Sequence, residues 1–103
     1  MDWDQAEMEW IGAVVLVGMT YVSPDGTELR QEQFYGQITV VDRTRGIALD
    51  LSGRKAGEIY WLPPDLRAFE YAPRGDYALR STNEVVRDPD FISQWTIEPP
   101  RES

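Results

Sequence analysis

The sequence predicts a mainly β protein: a small, strongly bent five-stranded barrel with a short N-terminal helix and a C-terminal β extension. Short runs rich in β-branched and aromatic residues recur along the chain, and turns rich in glycine, proline and aspartate separate them. The 103 residues suffice for one compact core. We therefore expect a single domain over 1–103, with a barrel core at 1–72 and an extension at 73–103. Closure into a barrel is expected because it hides most edges of short strands.

The helix and the first strand are predicted from the N-terminal segment. Residues 2–9 begin with Asp2 as an N-cap, and apolar residues follow at helical spacing, namely Trp3, Ala6 and Trp10. Residues 11–22 are apolar and rich in β-branched side chains, and they end at Pro24-Asp25-Gly26, which favours a turn. The chain therefore starts with a short helix and enters a β-hairpin.

The remaining strands follow from alternation and from turn residues. A long second strand over 28–42 turns at 43–45 into a third strand at 46–51. A fourth strand ends before Pro63, because proline cannot continue a ladder of hydrogen bonds. The fourth and later strands are predicted at 58–62, at 68–71, in a hairpin over 75–86 and at 91–98.

Composition limits the chemistry that the chain can perform. The sequence has no cysteine and no histidine, so thiolate ligands, imidazole ligands and histidine bases are excluded. The carboxylates in its loops lack the ligand spacing of a calcium loop, and no glycine-rich loop leads from a strand into a helix. We therefore expect no catalytic activity, no cofactor and no metal.

Charge and hydropathy indicate a cytoplasmic protein that does not enter a membrane. The net charge is −8, which is typical of a soluble acidic domain. The longest apolar run, Ile11 to Met19, has nine residues, whereas a membrane-spanning helix needs about 20. An acidic segment precedes this run, unlike the basic start of a signal peptide.

The segment GQITVVDRTRGIAL resembles the first motif of the Sm-like family of small barrels. Its glycine, spaced apolar residues, aspartate and following apolar alternation are Gly36, Ile38, Val41, Asp42, Ile47 and Leu49. The resemblance covers about residues 3–71. The whole chain, above all LPPDLRAFE and YALRSTNEVVRDPDF, also resembles a set of short uncharacterised bacterial proteins, which implies no function.

The Sm-like resemblance implies a barrel whose fourth and fifth strands pair with neighbouring copies to form a ring. It also implies an RNA site at the turn that contains Asp42, Arg43 and Arg45. Gly46 stands where the family has an asparagine that contacts a base, and EIYWLPPDL lacks the arginine-glycine pair of the second motif. Asp42 is the one matched contact residue, and capping of the turn explains it equally well.

The charge distribution allows two interpretations of this turn. Residues 42–55 hold four of the ten basic residues and two acidic ones, so their net charge is +2 and the rest of the chain carries −10. A basic stripe is typical of nucleic-acid binding, but solvated hairpin turns are also often charged. We therefore expect this turn to be solvated and not to bind RNA. RNA binding by the arginines at 43 and 45 is the alternative interpretation.

Aromatic residues indicate both a core and an interface. The residues predicted in the core are Trp61, Phe69 and Trp95. Tyr35 and Tyr60 alternate with inward-facing neighbours, so they would lie on the outside of a barrel, where exposed tyrosines suit a protein interface. The predicted oligomer interface consists of Glu58, Tyr60, Leu62 and Tyr35.

Three functions remain open from the sequence. A self-assembling or protein-binding module without catalytic activity fits best, with further copies of the chain in a ring, or an unidentified protein, as the partner. A weak Sm-like RNA-binding protein is the first alternative. An acidic inhibitor of a basic protein, such as a toxin or a nuclease, is the second and rests on the net charge alone.

Overall fold

The structure, a computed structural model, describes residues 1–98. These residues form the elements α1 (Trp3–Trp10), β1 (Val14–Val22), β2 (Glu28–Asp42), β3 (Gly46–Leu51), β4 (Ile59–Leu62), β5 (Phe69–Tyr71), β6 (Asp76–Ala78), β7 (Val85–Arg87) and β8 (Phe91–Ile97). Single turns of 3₁₀-helix precede β4 and β5. The prediction of a mainly β fold with a short N-terminal helix is confirmed, and β2 and β3 have the predicted bounds.

Six of the strands form one mixed sheet. Their order is β4-β3-β2-β1-β8-β5, and β6 and β7 form a separate hairpin. β1 and β8 are parallel, whereas the other neighbouring strands are antiparallel. The sheet is open, because within residues 1–98 one edge of β4 and one edge of β5 have no neighbouring strand.

This open sheet differs from the predicted closed barrel of five strands. In a five-stranded barrel β5 would pair with β1, but here β8 lies between them, with Phe91 opposite Val15. Asp90 fixes this position: its carboxylate accepts a hydrogen bond from the N–H of Val14 at 2.8 Å, and its own N–H donates to the carbonyl of Val14 at 2.9 Å. An added strand therefore separates the two strands whose pairing would close the barrel.

The sheet buries apolar side chains on both faces. The larger cluster lies on the face covered by α1, which we call the inner face, and its members include Ala6, Trp10, Val15, Val17, Phe34, Ile38, Ile47, Leu49, Leu62, Phe69 and Phe91. On the opposite, outer face, Leu16 packs against Leu79 and Val86 of the hairpin segment. The structure thus has a main core and a smaller outer layer.

Helix α1 closes the inner face near the start of β8. The N–H of Gln5 donates to the carboxylate of Asp2 at 2.8 Å, so the predicted N-cap is confirmed. The Trp10 ring lies 4.7 Å from the ring of Phe91 and 5.2 Å from that of Phe69, measured between centroids. No helix among residues 1–98 is long and apolar enough to cross a membrane.

The predicted C-terminal extension contributes to both layers. Its last strand, β8, is an interior strand of the main sheet, and its hairpin covers part of the outer face. Gln33 of β2 anchors the hairpin, because its side-chain oxygen accepts a hydrogen bond from the N–H of Arg80 at 2.7 Å. Residues 99–103 of the predicted extension lie outside the described residues.

Candidate functional site

The free edge of β4 exposes main-chain hydrogen-bonding groups. The N–H of Leu51 donates to the carbonyl of Glu58 at 2.9 Å, and the antiparallel register continues with Tyr60 opposite Leu49 and Leu62 opposite Ile47. Main-chain groups alternate in direction along a strand, so those of Tyr60 and Leu62 face β3, as does the carbonyl of Glu58. The N–H and C=O groups of Ile59 and Trp61 consequently face away from the sheet.

The side chains of the same two residues are exposed on the outer face. Ile59 is 67% exposed and Trp61 41% exposed. They flank Asp50 and Ala48 of β3, which lie directly opposite them. One short strand therefore offers outward main-chain groups together with two large apolar side chains, which is a template for a further strand.

The two β4 residues that were predicted to form an interface, Tyr60 and Leu62, point to the inner face of the sheet. Leu62 is buried in the main core, and Tyr60 packs on Phe34 with 5.0 Å between ring centroids. Burial raises the pKa of the Tyr60 hydroxyl. The prediction that Trp61 lies in the core and Tyr60 outside is wrong, because the pairing of Leu62 with buried Ile47 fixes the opposite alternation.

The other two predicted interface residues have different surroundings. Tyr35 lies on the outer face, half-buried against the cluster formed with the hairpin. Glu58 is exposed just before β4, with its carbonyl bound to β3. The four side chains thus do not form one surface, and the participation of this strand in an interface stays a prediction that depends on its main chain.

The edge of β5 is the second free edge of the sheet. The N–H of Ala72 donates to the carbonyl of Asp90 at 3.0 Å, so the main-chain groups of Phe69 and Tyr71 face outward by the same alternation. Tyr71 is 74% exposed, although its ring lies 5.0 Å from that of Phe91. This edge is shorter than that of β4 and carries one exposed aromatic side chain.

The turn with the predicted RNA-binding residues is organised by Asp42. Its carboxylate accepts hydrogen bonds from the N–H groups of Thr44 and Arg45, each at 2.8 Å. These N–H groups, that of Arg45 first, hold the pKa of Asp42 below its ordinary value. The Arg45 side chain lies 3.4 Å from the same carboxylate and 5.1 Å from the Trp61 ring centroid. Asp42 therefore caps the turn.

The other basic residues near β3 do not join this turn. Arg43 pairs with Asp4 of α1 at 3.6 Å, with both side chains well exposed. Arg54 and Lys55 follow the opposite end of β3, and Lys55 binds Glu32 at 2.9 Å. The four cations that are clustered in sequence are thus divided between two ends of a strand.

The acidic side chains and a polar groove are further features of the surface of residues 1–98. Within residues 1–98 no group of three or more acidic side chains could hold a metal ion. A groove of about 410 Å³ crosses the outer face at Gly18, with Gln33 and Gln94 on the neighbouring strands. Its amide and hydroxyl side chains are those of a solvated sheet face.

Sequence reasoning missed the two residues that make the β4 edge distinctive. Ile47, Leu49 and Leu51 alternate along the buried face of β3, and β4 pairs with β3 in a fixed register. Applying that register to 58–62 would have placed Tyr60 and Leu62 inward and Ile59 and Trp61 outward.

Comparisons with known proteins assign this chain to no family. No family model matches the sequence, no curated protein resembles it significantly, and no solved structure matches its fold. The resemblance to the Sm-like family therefore stays a prediction.

Proposed function

We propose that this protein is a non-catalytic module that self-assembles through a free edge of its main sheet. One observation carries the proposal: β4 combines outward main-chain groups with exposed Ile59 and Trp61. An unprotected edge of this kind favours pairing with another strand.

The surroundings of β4 contain few of the features that prevent edge pairing. Proteins protect edge strands with charged side chains, proline or bulges within the strand. β4 is short, with four residues, but it has no charged side chain, proline or bulge between Ile59 and Leu62, and Pro63 and Pro64 come only after it. Its outward side chains are apolar, so pairing with a second strand would also remove apolar surface from water.

The Sm-like resemblance supports the same kind of assembly. It implies that the fourth and fifth strands join neighbouring copies, and β4 and β5 are the two edge strands of this sheet. Tyr71 at the β5 edge is exposed as well. Pairing of β4 with β5 of a neighbour, or of β4 with itself, is compatible with self-assembly.

The mass of the protein in solution tests the proposal. Light scattering coupled to size-exclusion chromatography, over a range of concentrations, is expected to give a mass above the 11.8 kDa of one chain. A mass of one chain at every concentration up to the millimolar range would contradict self-assembly.

A further inference from the structure

The geometry points to one particular assembly, in which β4 of one copy pairs antiparallel with β4 of a second copy around a two-fold axis at Tyr60. This inference rests on the proposed function and specifies which edges meet. It places Ile59 of each copy opposite Trp61 of the other.

The main-chain groups fix the register. Ile59 and Trp61 are the β4 residues whose N–H and C=O groups face away from β3. A two-fold axis at Tyr60 brings Ile59 of one copy opposite Trp61 of the other. Every outward N–H and C=O group of these residues then finds a partner. A shift by one residue would place outward-facing groups against inward-facing ones and lose these bonds.

The side chains are complementary in the same register. A two-fold axis perpendicular to the sheet keeps the outer faces of both copies on the same side. Ile59, 67% exposed, then packs against Trp61 of the second copy, which is 41% exposed in a single copy. Aromatic and β-branched residues form favourable cross-strand pairs, and each pair occurs twice because of the symmetry.

The charges beside β4 give a small preference for the antiparallel arrangement, because Arg45 also pairs with Asp42 of its own turn. Exposed Asp50 lies opposite Ile59 within the chain, whereas Arg45 lies over Trp61 at the other end of the strand. Antiparallel pairing sets the Asp50 end of one copy beside the Arg45 end of the other, on both sides of the axis. Parallel pairing would set like charges together.

The alternative contact, β4 with β5 of a neighbour, leaves free edges. Each copy added in this way brings another unpaired β4 or β5, so assembly continues unless the rotation closes a ring. The two-fold contact covers Ile59 and Trp61 of both copies, and of the two sheet edges in residues 1–98 it leaves the shorter β5 edge free. Tyr71 would then remain exposed in the dimer.

Substitution of Ile59 by lysine tests the inference directly. A lysine there would leave β4 paired with β3 but place a charge against Trp61 of the second copy. In sedimentation equilibrium, Ile59→Lys is expected to raise the dimer dissociation constant at least tenfold. Val85→Lys is the matched control, because Val85 is also β-branched, on a strand and 56% exposed, but lies on the hairpin. It should leave the dimer unchanged.

A second variant tests whether the outer edge of β4 can be blocked without disrupting the fold. The N–H of Tyr60 faces β3, so proline there would damage the sheet itself. The N–H of Ile59 faces outward, so Ile59→Pro removes a hydrogen bond only at the proposed contact. We expect Ile59→Pro to be a folded monomer, as judged by its amide NMR spectrum.

Intermolecular contacts in the wild-type protein decide the register. In a mixture of isotope-labelled and unlabelled copies, isotope-filtered NOEs are expected between Ile59 and Trp61 of different copies. Contacts from β4 to Tyr71, or association that Ile59→Lys does not weaken, would overturn the two-fold contact and leave self-assembly intact. A monomer at every concentration would overturn both.

Discussion

The turns at the two ends of β3 are similar in sequence but are constrained by different neighbouring groups. Each end has a turn with two basic residues and a glycine in the left-handed region, Gly46 at one end and Gly53 at the other. A side chain on Gly46 would overlap the carbonyl oxygen of Leu62, which is main chain. A side chain on Gly53 would meet the carboxylate of Glu84, which can move. The first turn is therefore the more rigidly constrained one.

The charges at the two ends also differ in what they contact. At the Gly46 end, Asp42 binds the N–H groups of its own turn and neighbours Arg45. At the Gly53 end, Lys55 reaches across to Glu32 of β2 and lies 5.8 Å from the ring centroid of Phe34. The Asp42 contacts are local, although Arg43 of the same turn also pairs with Asp4 of α1, whereas Lys55 joins its turn to β2. Basic residues that look alike in the sequence thus stabilise different parts of the fold.

The largest expected effect is that of alanine at position 46. Gly46 has φ +111°, and the added methyl group would overlap the main chain of Leu62. We expect Gly46→Ala to lower the free energy of unfolding by at least ~3 kcal/mol, since backbone strain and overpacking add. Urea unfolding followed by tryptophan fluorescence measures this loss.

Alanine substitutions at two other glycines separate the cost of backbone strain from the cost of steric overlap. Gly57 has φ +96° and open space around it, so Gly57→Ala should show the backbone cost alone, about 1–2 kcal/mol. Gly53→Ala should fall between the two, because Glu84 must give up its hydrogen bond from the N–H of Arg54. A loss for Gly46→Ala no larger than that for Gly53→Ala would show that the ends of β3 do not differ.

The second prediction concerns the ion pair at the Gly53 end. The hydrogen bond from Lys55 lowers the pKa of Glu32, and the bond to Glu32 raises the pKa of Lys55. At pH 7 both groups are charged, and Lys55→Met should lower the free energy of unfolding by about 0.5–1 kcal/mol. Urea unfolding at several pH values measures this difference.

The pH dependence of the stability difference between wild type and Lys55→Met distinguishes an effect of the ion pair from an effect of side-chain packing. A carboxylate with a lowered pKa contributes stability above its unfolded-state pKa, and this contribution disappears as the pH falls through the folded-state value. The difference between wild type and Lys55→Met should therefore vanish in acid. Arg67→Met is the control, because Arg67 pairs with Asp65 but is 92% exposed and should contribute little. A difference that persists in acid would contradict the ion-pair explanation.

The sequence predicts an element correctly where the residues of that element alone determine its position. The N-cap at Asp2 and the bounds of β2 and β3 follow from local alternation and turn residues. The open sheet could not be predicted in this way, because the insertion of β8 beside β1 is a contact between residues 76 positions apart, such as Val15 and Phe91. No local signal distinguishes that pairing from a closed barrel.

The β4 edge was predicted only in part, because its pairing with another strand determines which of its side chains are buried. The strand was identified, but its side chains were assigned to the wrong faces. β4 has only four residues, so its own alternation of Ile59, Tyr60, Trp61 and Leu62 gives large apolar residues on both faces. Only its register with β3 shows which pair is buried.

The smallest expected effect is that of the two arginines in the turn. Arg43 and Arg45 are exposed, and each lies near a carboxylate, that of Asp4 or of Asp42. Gly46 provides no side chain to contact a base, and the chain outside 42–55 carries a net charge of −10. Removal of both arginines should therefore change the free energy of unfolding by no more than ~0.5 kcal/mol.

These two arginines should also be dispensable for any interaction with RNA. A phosphate contact makes affinity depend on salt, and its loss lowers the salt slope by about one unit. We expect fluorescence anisotropy with U-rich and A-rich single strands to show no binding tighter than the ~10⁻⁴ to 10⁻⁶ M of non-specific contacts. Arg43→Ala with Arg45→Ala should behave like the charge-matched control Arg67→Ala with Arg74→Ala. Sub-micromolar binding that is lost only in the first variant would make the Gly46 end of β3 an RNA site and not merely a capped turn.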